Sequence, residues 1–554
     1  MPIGVNTPGW GYNLWLPVAW PVFGIQDKQG DVAMSDKLVP GVMQLMDGVR
    51  TIWDVGTGHR EGVSSVDTAW LRMDRRTNLM MIVGVLMFEA PMDRERMIQV
   101  IEERFLHFDR FKQRVVKLGP SHFWEDDEQF SLDNHFETIA LPGRAGKVEL
   151  ENLVSDLSST ALDTSRPLWH FHLVENYNGG SALVARIHHC YADGISLIRV
   201  LLSMTDGSPR PEKKKRHRAE HLESHHHDEY DYLTRLYRPV ASAVNKAMKT
   251  YWDVVEGAVD IARKPSRLMK YSNHGIGMAG DLARVLTMPN DPKTHFKGRL
   301  TSRKRCVWAE PISLPEVKHI GKALGCTIND VLVSCVAGAL RGYLLDKGEQ
   351  VNGLEIRATV PVNMRPEHKM DSLGNYFGLV FLSLPIGIEN PFERLYEIQR
   401  RMGELKNSYE AVLALGLLAV CGMAPNVVEQ TALNLLTAKA TAVMTNVPGP
   451  KDAIYLAGNK VCDCMFWVPQ SGDIGMGISI LSYNDHIQFG LVTDANLVPD
   501  PEQIIGRFKG EFDKLLFTTL MEPWDEPFDP KKVERDIEWI SAQFSEQIDE
   551  VAIL

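Results

Sequence analysis

The sequence predicts an α/β protein built as two lobes, and three observations predict it. Apolar runs of strand length alternate with amphipathic helical repeats in both halves of the chain. A charged stretch almost free of aliphatic residues, 207–232 (GSPRPEKKKRHRAEHLESHHHDEYDY), separates the halves. The length, 554 residues, suits two large units or about three smaller ones. The division expected is an aromatic-rich extension over 1–62, a first lobe over 63–206, and a connector of charged linker and helices over 207–300. A second lobe over 301–520 and an acidic tail over 521–554 follow.

In the first lobe, residues 80–88 (MMIVGVLMF) are a continuous apolar run and read as a strand. Asp93 to Phe105 reads as a helix, with Met97, Ile101 and Phe105 four apart on one face. Leu150, Leu153, Val154 and Leu157 recur at i, i+3, i+4, i+7 and mark another helix. Residues 168–175 (LWHFHLVE) and 181–188 (SALVARIH) flank Tyr177-Asn178-Gly179-Gly180, and Asn-Gly between two strand-like runs signals a hairpin. Residues 195–202 read as a buried helix. In the second lobe, Ser313-Leu314-Pro315-Glu316 has capping-box form and opens a helix through Val317, Ile320 and Leu324 that Gly325 ends. Thr327 to Asp330 caps the next helix, through Leu332, Cys335 and Leu340. Residues 356–362 and 377–384 read as strands. Residues 474–481 and 487–492 form a pair turned at Asn484-Asp485. Pro501 begins a terminal helix that turns Ile504, Ile505, Phe508, Phe512 and Leu515 inward.

Composition excludes several classes. Lys+Arg is 60 against Asp+Glu 71, a net charge of −11, which does not suit a nucleic-acid binder. The seven cysteines are scattered through a long chain, which fits a reducing compartment and small buried hydrophobes rather than a disulfide scaffold. Cys462-Asp463-Cys464 is the only close pair, and no second pair completes a zinc site, so no metal is expected. His225-His226-His227 lacks partners at ligand spacing. No run qualifies as a transmembrane helix: the nearest, 10–25, falls short of ~20 apolar residues and is broken by Pro17 and Pro21. Its Trp10, Trp15, Trp20 and Phe23 suit either an interfacial anchor or a segment packed on the protein body. The basic run 213–218 is either a solvated connector or a patch for acidic lipid.

The sharpest chemical feature is Ile187-His188-His189-Cys190-Tyr191-Ala192-Asp193-Gly194. It lies where an apolar strand ends and a helix begins, so its polar groups can face a cleft. A histidine there can serve as a general base near neutral pH. Asp193 can turn back to fix the loop, and Gly194 permits a tight turn. No G-x-S-x-G nucleophile elbow accompanies the motif, so direct transfer is expected rather than a covalent serine intermediate.

HHxxxDG looks like the motif of the chloramphenicol acetyltransferase-like acyltransferases and of peptide-synthetase condensation domains. Pro167-Leu168-Trp169 lies one hairpin upstream. Asn329-Asp330 follows Thr327 at a helix start, and Pro361-Val362-Asn363-Met364-Arg365 ends a strand. Asn446-Val447-Pro448-Gly449-Pro450 follows an apolar run, and Ser482-Tyr483-Asn484 sits in the last hairpin. This ordered set, over roughly residues 64–520, resembles the bacterial wax ester synthase/diacylglycerol acyltransferase family.

The resemblance implies two chloramphenicol acetyltransferase-like lobes with mixed sheets and an active site at their interface. By match to the motif, His189 is the catalytic base, His188 shapes the site, and Asp193 orients the loop through a cation for which Arg186 and Arg365 are candidates. Gly194, Asn329, Pro167, Leu168, Trp169 and Asn446 are expected around the substrate. Asn329 either caps its helix or helps hold the site or the oxyanion. The implied reaction is acyl transfer from acyl-CoA to diacylglycerol or a long-chain alcohol, with no cofactor beyond the co-substrate. The rivals are an acyltransferase for an amine or polyketide hydroxyl and a catalytically silent lipid-binding protein. The expected location is the cytoplasm, peripheral to a membrane or lipid droplet. The chain departs from the family at Cys190, where Ala is usual, at Asp485, where Gly is usual, and in the lengths of 1–60 and 207–232.

Overall fold

The strongest apolar runs form the central strands of two sheets. The computed structural model describes residues 60–210, 284–365, 373–406 and 433–521, apart from Pro120 and Leu286, together with the isolated positions Ala411, Ala414 and Arg535. The aromatic segment 10–25, the basic run 213–218, the histidines 225–227 and the acidic tail lie outside the described residues.

The first half begins with β1 (Arg60–Gly62) and helix α1 (Ser65–Met73), then β2 (Met81–Phe88) and α2 (Arg94–Val100), which continues as a π-helical turn through Phe105. Met97, Ile101 and Phe105 are all fully buried, as their spacing predicts. A hairpin of β3 (Gln113–Leu118) and β4 (Ser121–Asp126) joins β1 in a small sheet. Next come β5 (Phe136–Ile139), α3 (Lys147–Ser158), β6 (Trp169–Val174), β7 (Ser181–His188), α4 (Gly194–Met204) and β8 (Thr205–Asp206). The β6–β7 turn holds Asn178 at φ 52°. Gly180 there lies so close to the Phe88 carbonyl that a Cβ would stand 2.2 Å from it.

The second half runs β9 (Lys304–Trp308), β10 (Ile312–Ser313), α5 (Leu314–Leu324), α6 (Ile328–Asp346), β11 (Ile356–Asn363), β12 (Phe377–Leu384) and α7 (Pro391–Leu405). It ends with β13 (Ala442–Pro448), β14 (Tyr455–Leu456), β15 (Asn459–Trp467), β16 (Met476–Tyr483), β17 (His486–Asp494) and α8 (Glu502–Met521). Ser313 caps α5, Gly325 ends it at φ 67°, and Thr327 with Asp330 forms the capping box of α6. Asn484 and Asp485 turn the β16–β17 hairpin with φ of 48° and 58°, so aspartate serves where glycine is usual.

The second sheet has the order β10-β17-β16-β13-β11-β12, with β9 also on β17; β13 runs parallel to β11 and β16. The first has the order β5-β6-β7-β2-β15-β14-β8. Both are mixed, since β5 is parallel to β6 while β2 and β7 are antiparallel. The expected boundaries need one correction: β14 and β15, from within 301–520, complete the first sheet, where β15 pairs antiparallel with β2. A strand's partner is set by tertiary packing, so no local pattern could show this. Both apolar clusters draw on both halves of the chain.

By length and composition α6 would cross a membrane, which the reading of the sequence missed. It is a core helix instead, with 83% of its apolar window buried inside the protein.

Candidate active site

The site is built where β7 leaves the first sheet. His189 N donates to Met80 O (2.7 Å), the last sheet-like bond before the chain turns. Four residues later Asp193 caps α4, its Oδ1 accepting from Ser196 N at 3.0 Å. The loop between them is stitched to the second half of the chain. Gly374 N donates to Tyr191 O (3.0 Å), and Asp193 N donates to Gly374 O (3.3 Å). Asp193 Oδ2 accepts from Arg365 Nη2 (2.8 Å) and Tyr376 N (3.1 Å). The cation sought for Asp193 is therefore Arg365, from the other lobe. Arg186 instead donates to His172 Nε2 and Thr160 O. Burial works to raise the Asp193 carboxyl, but Arg365 and the two backbone N–H groups hold it below its ordinary 3.8.

His189 is buried, and its surroundings are aromatic. Trp70 of α1 stacks on the imidazole with centroids 4.2 Å apart and planes 19° apart; Phe377 of β12 stands 5.7 Å away, tilted by 54°. Burial pushes the imidazole down to about 4, against the Asp193 charge that favours the protonated form. The ring is thus neutral at pH 7, with a lone pair available. Asn375 Nδ2 donates to His189 O (2.7 Å) and to Asp67 Oδ1 (2.8 Å), tying the loop to α1. Cys190 is fully buried and burial drives its thiol well above the ordinary value, so it packs and does not attack.

The two histidines face different spaces. His188 Nδ1 accepts from Cys190 N (3.1 Å), and its Nε2 stands 3.8 Å from Asp74 Oδ2. That pair opens on a cavity of about 200 Å³ lined also by Leu71, Leu79, Met80 and Leu168. Leu168 is tied to the motif as well: its carbonyl accepts from His188 N (2.9 Å), and its N–H donates to Tyr191 Oη (3.0 Å).

Other expected residues sit apart from His189. Trp169 is a core residue, edge-on to Phe105, stacked on His135, and bonded through Nε1 to Phe111 O (2.7 Å). Pro167 shapes the approach to β6, its carbonyl accepting from Trp169 N (2.9 Å). Asn329 does not cap α6, since Thr327 does; its Oδ1 accepts from Asn446 Nδ2, and its own buried Nδ2 has no partner. This pair joins α6 to β13 and leaves one amide donor to offer. Gly194 is the first residue of α4 and does not take a left-handed conformation, so the tight-turn reading is corrected. A Cβ there would meet nothing within 4 Å, and the glycine leaves open space beside the motif.

Among the described residues Glu137, His170 and His172 form a cluster of metal-ligand type. Both ring nitrogens of His172 are engaged: Nδ1 faces Glu137 Oε1 at 2.5 Å, and Nε2 accepts from Arg186 at 3.1 Å, whose guanidinium also lies 3.4 Å from His170 Nδ1. A guanidinium in that position opposes a second cation. Sequence reasoning missed Trp70, Asp67, Asn375 and Phe377, for which no short motif exists.

Comparison with known proteins shows the family and the fold. Residues 63–332 match the model described as "Wax ester synthase/diacylglycerol acyltransferase catalytic domain", and residues 373–516 match "WS/DGAT C-terminal domain". A Mycobacterium tuberculosis relative named "Probable diacyglycerol O-acyltransferase tgs1" is 27% identical over 458 residues, 80% of this chain and 93% of the relative. Another from the same species, "Probable diacyglycerol O-acyltransferase tgs2", is 27% identical over 482 residues, covering 81% and 97%. The solved wax ester synthase/diacylglycerol acyltransferase from Marinobacter aquaeolei VT8 shares the fold, with a TM-score of 0.57 and 22% identity over 83% of this chain and 100% of that one. The starter condensation domain of rhizomide synthetase shares it more distantly, with a TM-score of 0.50 and 11% identity over 84% and 96%.

Proposed function

The chain belongs to the wax ester synthase/diacylglycerol acyltransferase family, and we propose from that premise that it transfers the acyl group of acyl-CoA to the hydroxyl of a diacylglycerol or long-chain alcohol, with His189 as general base. One observation carries the reading: a buried, neutral imidazole stands at the seam between the two lobes, its main chain bonded to Met80 O on one side and Asn375 Nδ2 on the other.

The acceptor hydroxyl loses its proton to the imidazole as its oxygen attacks the thioester carbonyl. The tetrahedral intermediate collapses, the carbon–sulfur bond breaks, and the imidazolium returns its proton to the CoA thiolate. Asp193 stabilises the transient imidazolium electrostatically and holds the loop. The free Nδ2 of Asn329 is a candidate donor for the oxyanion. Proton balance is met by His189 alone, so the cycle needs no cofactor. Base catalysis contributes ~10²–10⁴-fold, and positioning of both substrates supplies much of the rest.

Because one substrate is a neutral lipid, we place the protein in the cytoplasm at a membrane or lipid-droplet surface, with the Trp-rich 10–25 segment and the basic 213–218 run as its contacts. Liposome flotation of full-length protein against a 1–60 deletion tests this, and equal binding rejects the N-terminal contact.

The main test is CoA thiol release from palmitoyl-CoA with hexadecanol, dioleoylglycerol or no acceptor. Acceptor-dependent release that His189→Ala lowers by ~10²–10⁴-fold or more is expected. Full turnover by a folded His189→Ala protein overturns the base assignment.

A further inference from the structure

We propose that Trp70 is a positioning residue for the reaction, holding the plane of the His189 imidazole by stacking on its face. The inference rests on His189 being the base.

The main chain of His189 is fixed at both ends, by Met80 O on its N–H and by Asn375 Nδ2 on its carbonyl. The ring is held less firmly. Its buried Nδ1 has no well-aligned partner, and only its own carbonyl and the Asn375 side chain act on it. Asn375 uses both hydrogens of Nδ2 on the His189 carbonyl and on Asp67, which leaves only its Oδ1 to meet the ring. Asp193, which in principle could orient the ring, is occupied with Ser196, Tyr376 and Arg365. A histidine χ2 torsion is broad and soft, so poorly aligned polar contacts leave the ring in need of a further restraint.

That further restraint is aromatic. The indole lies against the imidazole at 4.2 Å and 19°, and Phe377 walls the ring from another side at 5.7 Å. Trp70 is 6% exposed and sits one turn after Asp67 on α1, so both residues present to the same place. Helix α1 therefore acts on His189 twice: Asp67, through Asn375, holds the backbone, and Trp70 holds the ring. Stacking also keeps water from the imidazole. The charged and titratable groups near the ring are His188 and Asp193 on its own loop, Arg365 paired with Asp193, and Asp67 tied to Asn375.

The test compares Trp70→Leu, which keeps apolar bulk without a π-face, with Trp70→Phe, which keeps a stacking face. Circular dichroism establishes folding, and His189→Ala is run beside them. Trp70→Leu should lower kcat by about 10–100-fold with the acyl-CoA KM little changed, because the base is displaced and the substrate site is not. Water reaching the ring should move the acid limb of the kcat/KM profile upward by about one pH unit or more, toward the ordinary histidine value. Trp70→Phe should restore most of kcat and the position of the limb. Folded Trp70→Leu with unchanged kcat, or with reduced kcat and an unmoved acid limb, overturns the proposal. So does a Trp70→Phe variant as damaged as Trp70→Leu, since the effect would then belong to the bulk of the indole and not to a stacking face. If His189→Ala retains activity, the base assignment has failed instead.

Discussion

Besides the strands that cross into the first sheet, two seams between the halves of this chain are made of different chemistry. At the first, the 189–193 loop meets Arg365 and residues 374–376 through a buried ion pair and backbone bonds. At the second, α3 lies along β9. Glu151 Oε1 accepts from Trp308 N (3.2 Å), Ser155 Oγ from Cys306 N (2.8 Å), and Ser159 Oγ from Lys304 N (2.8 Å). Four residues of helix advance about 6 Å and two of strand about 6.6 Å, so residues 151, 155 and 159 stay in step with 308, 306 and 304. The second seam covers the free edge of a strand whose other edge pairs with β17. The difference separates two jobs: the first seam fixes the geometry of one histidine, whereas the second closes a sheet.

The largest predicted effect falls on the first seam. Arg365→Met leaves the buried Asp193 carboxylate without its cation, which should cost ~3–5 kcal/mol of stability and nearly all activity. Asp193→Asn strands the guanidinium and should cost a similar amount. The double variant removes both charges and should regain much of the stability while staying inactive, because the loop is no longer held to the second half. Urea unfolding and thiol release on the same preparations read both. Single losses below about 1 kcal/mol would mean that the backbone bonds, and not the ion pair, hold the seam. Since the Asp193 carboxyl is held below its ordinary 3.8, its contribution is complete above that value and is lost as the pH falls through the depressed one.

The elements of both seams were legible in the sequence, but the seams were not. Strand β7, the motif after it and the capping of α6 follow from period, turn chemistry and side-chain type, all of which act within a few residues. Arg365 was readable only as one of two candidates, because it and Asp193 stand 172 positions apart and no period links them. Trp70 carries no motif at all; only the packing of α1 against the loop gives it a role. Gly194 was read as a conformational requirement, whereas its use is the open space beside it. The crossing of β14 and β15 into the first sheet was hidden for the same reason, since β15 reads locally like any other strand.

One group of the second seam titrates near neutral pH, and it sharpens the contrast. Burial raises the Glu151 carboxyl from 4.5 to about 7, more than its bond from Trp308 N lowers it. A raised folded value means that the native state binds the proton more tightly. Stability from this group is therefore full below about pH 4.5 and falls as the pH rises through about 7. Glu151→Gln keeps the acceptor and removes the ionisation. It should stabilise the protein at pH 8 by up to about 3 kcal/mol and flatten the fall of stability between pH 5 and 7, with activity unchanged. No gain at pH 8 would mean that the ionised carboxylate is solvated well enough in place.

The smallest effect expected is that of Ser155, and it is the most direct test of whether the seams are independent. Its hydroxyl donates to Glu151 O (2.6 Å) within α3 while accepting from Cys306 N across the seam. Ser155→Ala keeps the helix, whose own ladder does not need the hydroxyl, and leaves one buried strand N–H unpaired. The cost should be about 1–2 kcal/mol. Hydrogen exchange should quicken at Cys306 and at its neighbours Lys304 and Trp308, and should not change at Tyr376 or Gly374. Thiol release should stay at the wild-type rate, because the hydroxyl bonds to neither His189 nor any of its partners. If Ser155→Ala instead lowered turnover as much as Arg365→Met, the two seams would be one cooperative interface, and the histidine's position would depend on how the whole first half seats against the second.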